Sequence, residues 1–569
     1  MGWLAVLTTA SYLVPNHFFP WISFHEEWLI ALGFAPIMAW AAWRCDKIPV
    51  FAKIALVAGF VPGFQWSVGL INYRGDAIMA SLYCWGFALA IIAGAQWAGK
   101  NNSQSAKNHS ENSVDLLTLV PLWVALILAG IVSVGICVHQ WLDLQILAVF
   151  IADLPPNGRP FANLAQPNHL ASLLLLGIAG VIFLFEAKKT NGASSIFITM
   201  VLIFGLVMTQ SRTVLLAAVW LLAVFLLMKD QCNLRTPTRA ILSAIVAFGL
   251  LTWLWPDINR WLLVSENTDS AATRIASDAR IIYFRSAMDA ILQKPLMGFG
   301  FQQINLAQRA TEASYHATHN YFQSAHNLLL DLMLWAGVPI SLTLVYLFLK
   351  SLKTIVVNAS DGVTWAILVG VGFLLVHSMF EYPLYYSYFL LPAGFLFGSM
   401  SQREKYSLEI LPSFMNRIVV LPVVFFCGLI FIQITLEYPQ WEREWRNARF
   451  EILKFTKTEP AAPPSPAILD PIEDLLWFVR YPIDTGMSQI DLNRAKKVAN
   501  RYSHTIVFFR YSQMAALNGR SEDASYYLRL LCRFHSKSAC DQARKDWTEA
   551  GMTTWPKLSG IQFPSDVLN

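Results

Sequence analysis

The sequence predicts an all-α, polytopic membrane protein with about thirteen transmembrane helices, a long external loop and a C-terminal helical domain outside the membrane. Three observations carry that prediction. Apolar runs long enough to cross a bilayer recur through residues 1–436, Lys and Arg cluster in every second short loop, and the remainder turns polar with helical periodicity. The chain is 55% hydrophobic and 14% charged, with mean hydropathy +0.45, whereas a soluble domain carries about 25% charged residues. A formal net charge of +5 adds little beyond the loop bias, and no nucleic-acid partner is expected.

The apolar runs fall at 2–14, 28–43, 48–63, 77–98, 116–138, 168–187, 194–209, 211–228, 239–256, 326–349, 362–381, 383–400 and 416–436. No basic region or small-residue cleavage site accompanies the first, so it reads as a retained helix rather than a signal peptide. One set of short loops holds Arg44/Lys47, Lys100/Lys107, Lys188/Lys189, Lys229/Arg235/Arg239, Lys350/Lys353 and Arg403/Lys405/Arg417. The others hold single arginines, Arg74, Arg159 and Arg212, or none. The first set is therefore expected inside, by the positive-inside bias. An odd number of spans then places the N-terminus inside and the C-terminal tail outside.

The expected domains are N-terminal membrane helices (1–256), the external loop (257–325), C-terminal membrane helices (326–436) and the external helical domain (437–569). The loop carries Arg260, Arg274, Arg280, Arg285 and Arg309; this breaks the positive-inside rule where catalysis or anion binding could repay it, the plainer reading being that long loops translocate regardless of charge. After a Pro-rich joint at 459–466, Asp491–Val498, Thr505–Asn518, Ser521–Phe534 and Ser538–Ala550 read as antiparallel helices. The turn at Ala515–Arg520 is like that of tetratricopeptide-type repeats. Of seven cysteines, only Cys532 and Cys540 share the oxidising side and an inter-helix turn, so those two are expected to pair.

Two motifs are not demanded by burial in lipid. Thr209-Gln210-Ser211-Arg212 lies between two apolar runs, and His326-Asn327-Leu328 precedes another, with His316 and His319 upstream. Ionisable groups at such positions are functional hypotheses by default, and the topology puts both motifs on the external side. No Asp-x-Asp, Glu/His cluster or Gly-rich loop suggests a metal or nucleotide, so no cofactor is expected. Arginine forks bind phosphate oxygens and histidine takes protons near neutral pH. That chemistry suits a lipid-linked pyrophosphate donor and a hydroxyl acceptor.

Those motifs, with Arg280-x-x-Tyr283, Pro295–Gly300 and Gly337-Val338-Pro339, resemble the O-antigen ligase/polymerase superfamily. Pro15-Asn16-His17 with Pro20-Trp21 and Phe24, Gln166–Ala171, and His377-Ser378-x-x-Glu381-Tyr382-Pro383-Leu384 narrow the resemblance to PglL-type protein O-oligosaccharyltransferases. Tyr283 departs from it, since Trp is expected there. The resemblance implies en bloc transfer of a preassembled glycan from undecaprenyl pyrophosphate to a Ser/Thr hydroxyl of a pilin-like or other periplasmic protein. The enzyme would be a metal-independent, inverting glycosyltransferase in the bacterial inner membrane, with its active site facing the periplasm.

The family's important residues map onto His326, Gln166 and Tyr382. Arg212, Arg280 and Arg285 are expected on the pyrophosphate, and Arg159, His169, Ser211, Asn327 and Glu381 in support. Each has a plainer reading: Gln166 and His169 as helix caps, Tyr382 as an interfacial aromatic, Arg159 as a loop flank. The rival functions are an O-antigen ligase acting on lipid A-core, a glycan polymerase, a transporter or a membrane scaffold. A transporter would show paired repeats and midplane charges, and neither is visible.

Overall fold

The structure is a computed structural model describing residues 1–45, 47–99, 116–144, 146, 148–155, 158–262, 279–401, 413–452 and 466–564. Lys100, Lys107, Arg274, Arg403, Lys405 and most of the Pro-rich joint lie outside the described residues, as does the side chain of Arg280. The described residues are helical, without a strand: α1 Gly2–Leu13, α2 Phe24–Trp43, α3 Val50–Ala58, α4 Val61–Ser67, α5 Arg74–Gly99, α6 Val120–Trp141, α7 Pro167–Glu186, α8 Gly192–Thr209, α9 Thr213–Met228, α10 Thr238–Trp261, α11 Ala279–Gln293, α12 Ile304–Thr311, α13 Leu328–Ala336, α14 Val338–Asn358, α15 Gly362–His377, α16 Ser387–Ser401, α17 Ser413–Ile452, α18 Asp470–Arg480, α19 Gln489–Arg501, α20 Thr505–Leu517, α21 Ser521–Phe534 and α22 Lys537–Thr553.

Among the described residues, eight helical stretches are long and apolar enough to cross a membrane: Val50–Ser67, Arg74–Gly99, Leu116–Trp141, Pro167–Glu186, Gly192–Thr209, Thr238–Trp261, Val338–Asn358 and Met415–Glu451. Three shorter apolar helices, α1, α9 and α15, join them. The chain is thus a multi-pass helical membrane protein, and each of the thirteen expected spans overlaps a helix. Several boundaries differ. The run at 326–349 is not one helix: Gly337, at φ 81°, ends α13, and Pro339 sits in the first turn of α14. His326 therefore heads a short separate helix, and the spanning stretch begins at Val338. Likewise α15 stops at His377 and α16 starts only at Ser387, leaving Glu381 and Tyr382 in the connection.

The run at 416–436 continues without a break in α17, 40 residues long. At 1.5 Å per residue it measures about 60 Å, roughly twice a bilayer's hydrocarbon thickness. Its apolar half is long enough to span, while its second half, rich in Glu and Arg, pairs Glu444 and Glu451 with Arg480 at 3.1 and 3.0 Å.

The chain divides into two compact units, each assembled from separated segments. The first comprises Met1–Gly59, Leu82–Ala276 and Leu344–Leu429. Its core is a bundle around α7, which packs on α6, α8 and α15 and is buried on nearly every face. A helix apolar all round has to be enclosed by other helices. At its C-terminal end Glu186 accepts the Thr236 N–H at 2.8 Å and the Thr236 hydroxyl at 2.6 Å, tying down a basic loop.

The second unit comprises Phe60–Ser81, Ser277–Thr343 and Ile430–Asn569. In it α18 to α22 pack as successive neighbours around Leu492, Phe508, Tyr511, Met514, Tyr527 and Leu531. The expected tail helices are present, and Cys532 and Cys540 are joined as a disulfide.

Candidate functional site

In the first unit the site residues rest on a loop before α7 that is held against its own preference. Gln140 of α6 accepts the N–H groups of Phe161 and Ala162 at 3.1 and 2.9 Å and donates to the carbonyls of Ala152 and Ala162 at 2.8 and 2.9 Å. Buried Asn163 donates to the carbonyls of Leu13 and Phe150 at 2.7 and 2.9 Å and accepts the Ala152 N–H at 2.9 Å. Within this frame Ala162 and Ala165 both adopt φ 54°. A left-handed non-glycine residue costs about 1–3 kcal/mol and persists only where its surroundings over-determine it.

Gln166 follows directly, as the N-cap residue of α7, yet its side chain makes no capping hydrogen bond. The amide is not spent on closing the helix.

The first turn of α7 then meets the connection between α15 and α16. Asn168 Nδ2 donates to Glu381 Oε1 at 2.8 Å, and Ser172 Oγ is bonded to His377 Nδ1. His169, 2% exposed, lies edge-on to Tyr382, Tyr386, Tyr388 and Phe389, with the Tyr386 centroid at 4.6 Å. Its Nδ1 is 3.2 Å from the Tyr388 hydroxyl. Beside them His17 bonds the Asn163 carbonyl at 2.7 Å and Glu26 at 3.0 Å, while Glu27 accepts the Ser387 N–H at 3.0 Å. The segments around His17, Gln166 and Tyr382, far apart in sequence, thus form one polar cluster.

The Thr209–Arg212 turn sits in the same unit. Gln210 is left-handed at φ 48°. Arg159 Nη1 donates to the carbonyls of Thr209 and Gln210 at 3.0 and 3.2 Å, holding the end of α8. Buried Ser211 pairs with Thr213 at 2.8 Å. Half-buried Arg212 opens α9. Arg159 is therefore more than a loop flank: it fixes the turn that presents Arg212.

In the second unit His326 is itself left-handed, at φ 52°. Its N–H donates to Ser324 Oγ at 2.9 Å. Asp331, fully buried, accepts that hydroxyl at 2.6 Å and the Ala325 N–H at 2.7 Å. Asn327 caps α13, its Oδ1 accepting the Leu329 and Leu330 N–H groups at 3.0 and 3.2 Å, which is the favoured use of Asn at a helix start. The His326 ring stacks with Tyr283 at 6.4 Å, and Tyr283 meets Phe322 at 3.7 Å. Tyr283, where the family pattern has Trp, thus packs between Phe322 and the His326 ring.

Behind α13 the two glycine-bearing motifs meet backbone to backbone. The Phe299 N–H donates to the Leu334 carbonyl at 2.6 Å and the Val338 N–H to the Pro295 carbonyl at 2.7 Å. A Cβ on Gly298 would lie 2.4 Å from the Leu334 oxygen, and one on Gly337 2.2 Å from the Leu296 oxygen. Gln65 staples both sides, donating to the Met297 and Trp335 carbonyls at 3.1 and 2.7 Å and accepting the Phe301 N–H at 3.1 Å.

The other loop cations divide. Arg285 is exposed on α11, while Arg280 lies at the start of that helix. Arg309 is occupied: it donates to Asn500 Oδ1, the Ala499 carbonyl and Ser503 Oγ at 2.9, 2.6 and 3.1 Å, over the rings of Phe508 and Tyr527. Burial lowers its pKa. It is a strut rather than an anion ligand. His316 is exposed, and His319 is anchored, its N–H on the Arg533 carbonyl at 2.9 Å and its Nδ1 3.0 Å from the His535 carbonyl.

Sequence reasoning missed Gln65, Gln140, Asn163 and Asp331. Asp331 had a readable signal, a lone carboxylate within an apolar run; the amides had none, because their partners are backbone groups brought near by folding. Among the described residues no three His, Cys, Asp or Glu side chains gather as a metal-binding group.

Residues 160–185 match a family described as protein glycosylation ligase, 196–345 one described as O-antigen ligase, and 364–550 one described as virulence factor membrane-bound polymerase, C-terminal. The first holds Gln166 and Asn168, the second Arg212, Arg285 and His326, and the third Glu381 and Tyr382. A general O-oligosaccharyltransferase of Acinetobacter baylyi (strain ATCC 33305 / BD413 / ADP1) is 27% identical over 549 residues, 94% of this chain and 92% of the relative. A ComP-specific O-oligosaccharyltransferase of the same organism is 27% identical over 401 residues, 69% of this chain and 70% of that relative. These similarities bear out the resemblance read from the motifs.

Proposed function

We infer that this chain is a PglL-type protein O-oligosaccharyltransferase, transferring a preassembled glycan en bloc to a protein hydroxyl. The donor is a glycan on undecaprenyl pyrophosphate, and the acceptor is a Ser or Thr of a pilin-like or other periplasmic protein. The membrane is the bacterial inner membrane, and the reacting groups face the periplasm. The observation carrying this reading is the Asn168–Glu381 hydrogen bond, which draws the segments of Gln166 and Tyr382 into one cluster.

The reaction is a single displacement. The acceptor oxygen attacks the anomeric carbon, the bond from that carbon to the pyrophosphate oxygen breaks, and the configuration inverts. Arg212, Arg280 and Arg285 stabilise the negative charge of the undecaprenyl pyrophosphate leaving group. His326 takes the proton of the hydroxyl, a task that an imidazole performs near neutral pH. Gln166 and Tyr382 orient the reactants; Asn327 and Asp331 hold the His326 backbone, and Arg159 and Ser211 the Arg212 turn.

A second reading is favoured by the O-antigen ligase match over residues 196–345: transfer to lipid A-core. Purified protein in nanodiscs, given undecaprenyl-pyrophosphate glycan together with a pilin-like protein and lipid A-core, decides between them. Intact-mass analysis is expected to show the glycan on the protein. Glycan on lipid A-core alone would overturn the assignment in favour of the ligase.

A further inference from the structure

The helix carrying Arg285 is amphipathic the wrong way round for a water-facing element. Helix α11 packs on α12 and α13 through Ser286, Ala287, Ala290 and Ile291, all buried. Its opposite face exposes Ile281 at 54%, Met288 at 47% and Leu292 at 70%, and Leu296 beyond its end is 72% exposed. The spacing of 281, 285, 288 and 292 follows the helical period and keeps these side chains in one stripe. Arg285 sits within that stripe and is exposed. Asp289, on its flank, accepts the Tyr315 hydroxyl. At 15 residues, and carrying Arg280, Arg285 and Asp289, α11 is not among the helices able to span a bilayer, so a transmembrane position does not explain the exposed apolar side chains.

We propose that the part of this stripe from Met288 to Leu296 is the binding track for the polyprenyl tail of the lipid-linked donor, with Arg285, one turn before Met288, receiving the pyrophosphate. The proposal rests on the donor class inferred above. A cation one turn from apolar side chains matches an amphiphile whose anionic head adjoins a hydrocarbon chain. From residue 285 to residue 292 the helical part of the site runs about 10 Å, and Leu296 follows beyond the helix end. Tyr283 faces the other way on the same helix, against Phe322 and His326, so α11 would connect recognition of the tail with the segment that bears the proton acceptor.

The test compares two donors with the same glycan pyrophosphate, one on the undecaprenyl chain and one on a geranyl chain, for the wild type, Met288→Gln and Leu292→Asn in nanodiscs. The measured quantity is the ratio of kcat/KM for the long-chain donor to that for the short-chain donor. Each substitution removes apolar contact with the tail, so the ratio is expected to fall about tenfold. A ratio that stays at its wild-type value, whether both activities drop together or neither changes, overturns the proposal and leaves bulk lipid or a protein as the occupant of the stripe. If the wild type transfers glycan from neither donor, the proposed function fails rather than the track.

Discussion

Asn168 and Glu381, 213 residues apart, share a hydrogen bond of 2.8 Å, donated by the amide to a carboxylate that is 6% exposed. Each is a near chain neighbour of a residue assigned to the reaction, Gln166 on one side and Tyr382 on the other. The bond therefore sets the spacing of two groups that neither helix could set alone. Leaving a buried carboxylate short of a donor costs about 1–3 kcal/mol. Asn168→Ala and Glu381→Gln are each expected to lower glycan transfer by about one to two orders of magnitude. In a double-mutant cycle the two losses should fall well short of additive, as contacting residues do. Additive losses would show that the two side chains act separately.

His326→Ala is expected to reduce transfer by about 10²–10⁴-fold while membrane levels stay normal, the usual contribution of a positioned base. Because the backbone there is left-handed, Asp331→Asn should also depress activity by loosening the segment that enforces it. Near wild-type turnover of the alanine variant in a purified assay would remove His326 from the mechanism.

Arg212→Lys is expected to lose most activity although the charge is kept, since an ammonium cannot make the planar two-point contact with phosphate. Arg159→Ala should give a milder loss, because it frees the turn without removing the charge. Kinetics in which Lys matches Arg at position 212 while Ala is inactive would reduce the role to charge alone.

Transfer is expected to proceed in EDTA and without added nucleotide, as the sequence offers neither a metal nor a nucleotide motif. The check is product mass after exhaustive chelation. Activity lost on chelation and restored by one divalent ion would reveal a site that the motifs do not announce.

The C-terminal helical array should weaken in acid. Burial, with Arg501 nearby, lowers the pKa of His504 from 6.5, and burial lowers that of His535, with His504 adding to the shift against a hydrogen bond to the Ser503 backbone. A histidine held neutral by folding stabilises above its unfolded pKa, and that stability is lost as pH falls through the lower folded value. The hydrogen-exchange protection of Thr505–Phe534, corrected for the intrinsic rate at each pH, should therefore fall between about pH 7 and pH 5, where the unfolded imidazole gains its proton. His504→Gln with His535→Gln should flatten that dependence. An unchanged slope in the double variant would assign it to other groups.

The sequence by itself determined the all-helical membrane class, the polar helical tail, the Cys532–Cys540 pair and which side chains are candidates for the reaction. Composition and run length report directly on burial in lipid, and motif residues are chemical facts that folding does not alter. Tertiary structure alone decided how those side chains are held. The break at Gly337 was hidden inside a continuous apolar run, because hydropathy does not register a left-handed φ. Arg309 and Arg285 look equivalent in a basic loop, yet one is consumed by Asn500, Ala499 and Ser503 while the other stays exposed, since only packing determines which cation loses its solvent. Gln140, Asn163 and Gln65 carry no motif; their partners are backbone groups that become neighbours only when the helices have packed.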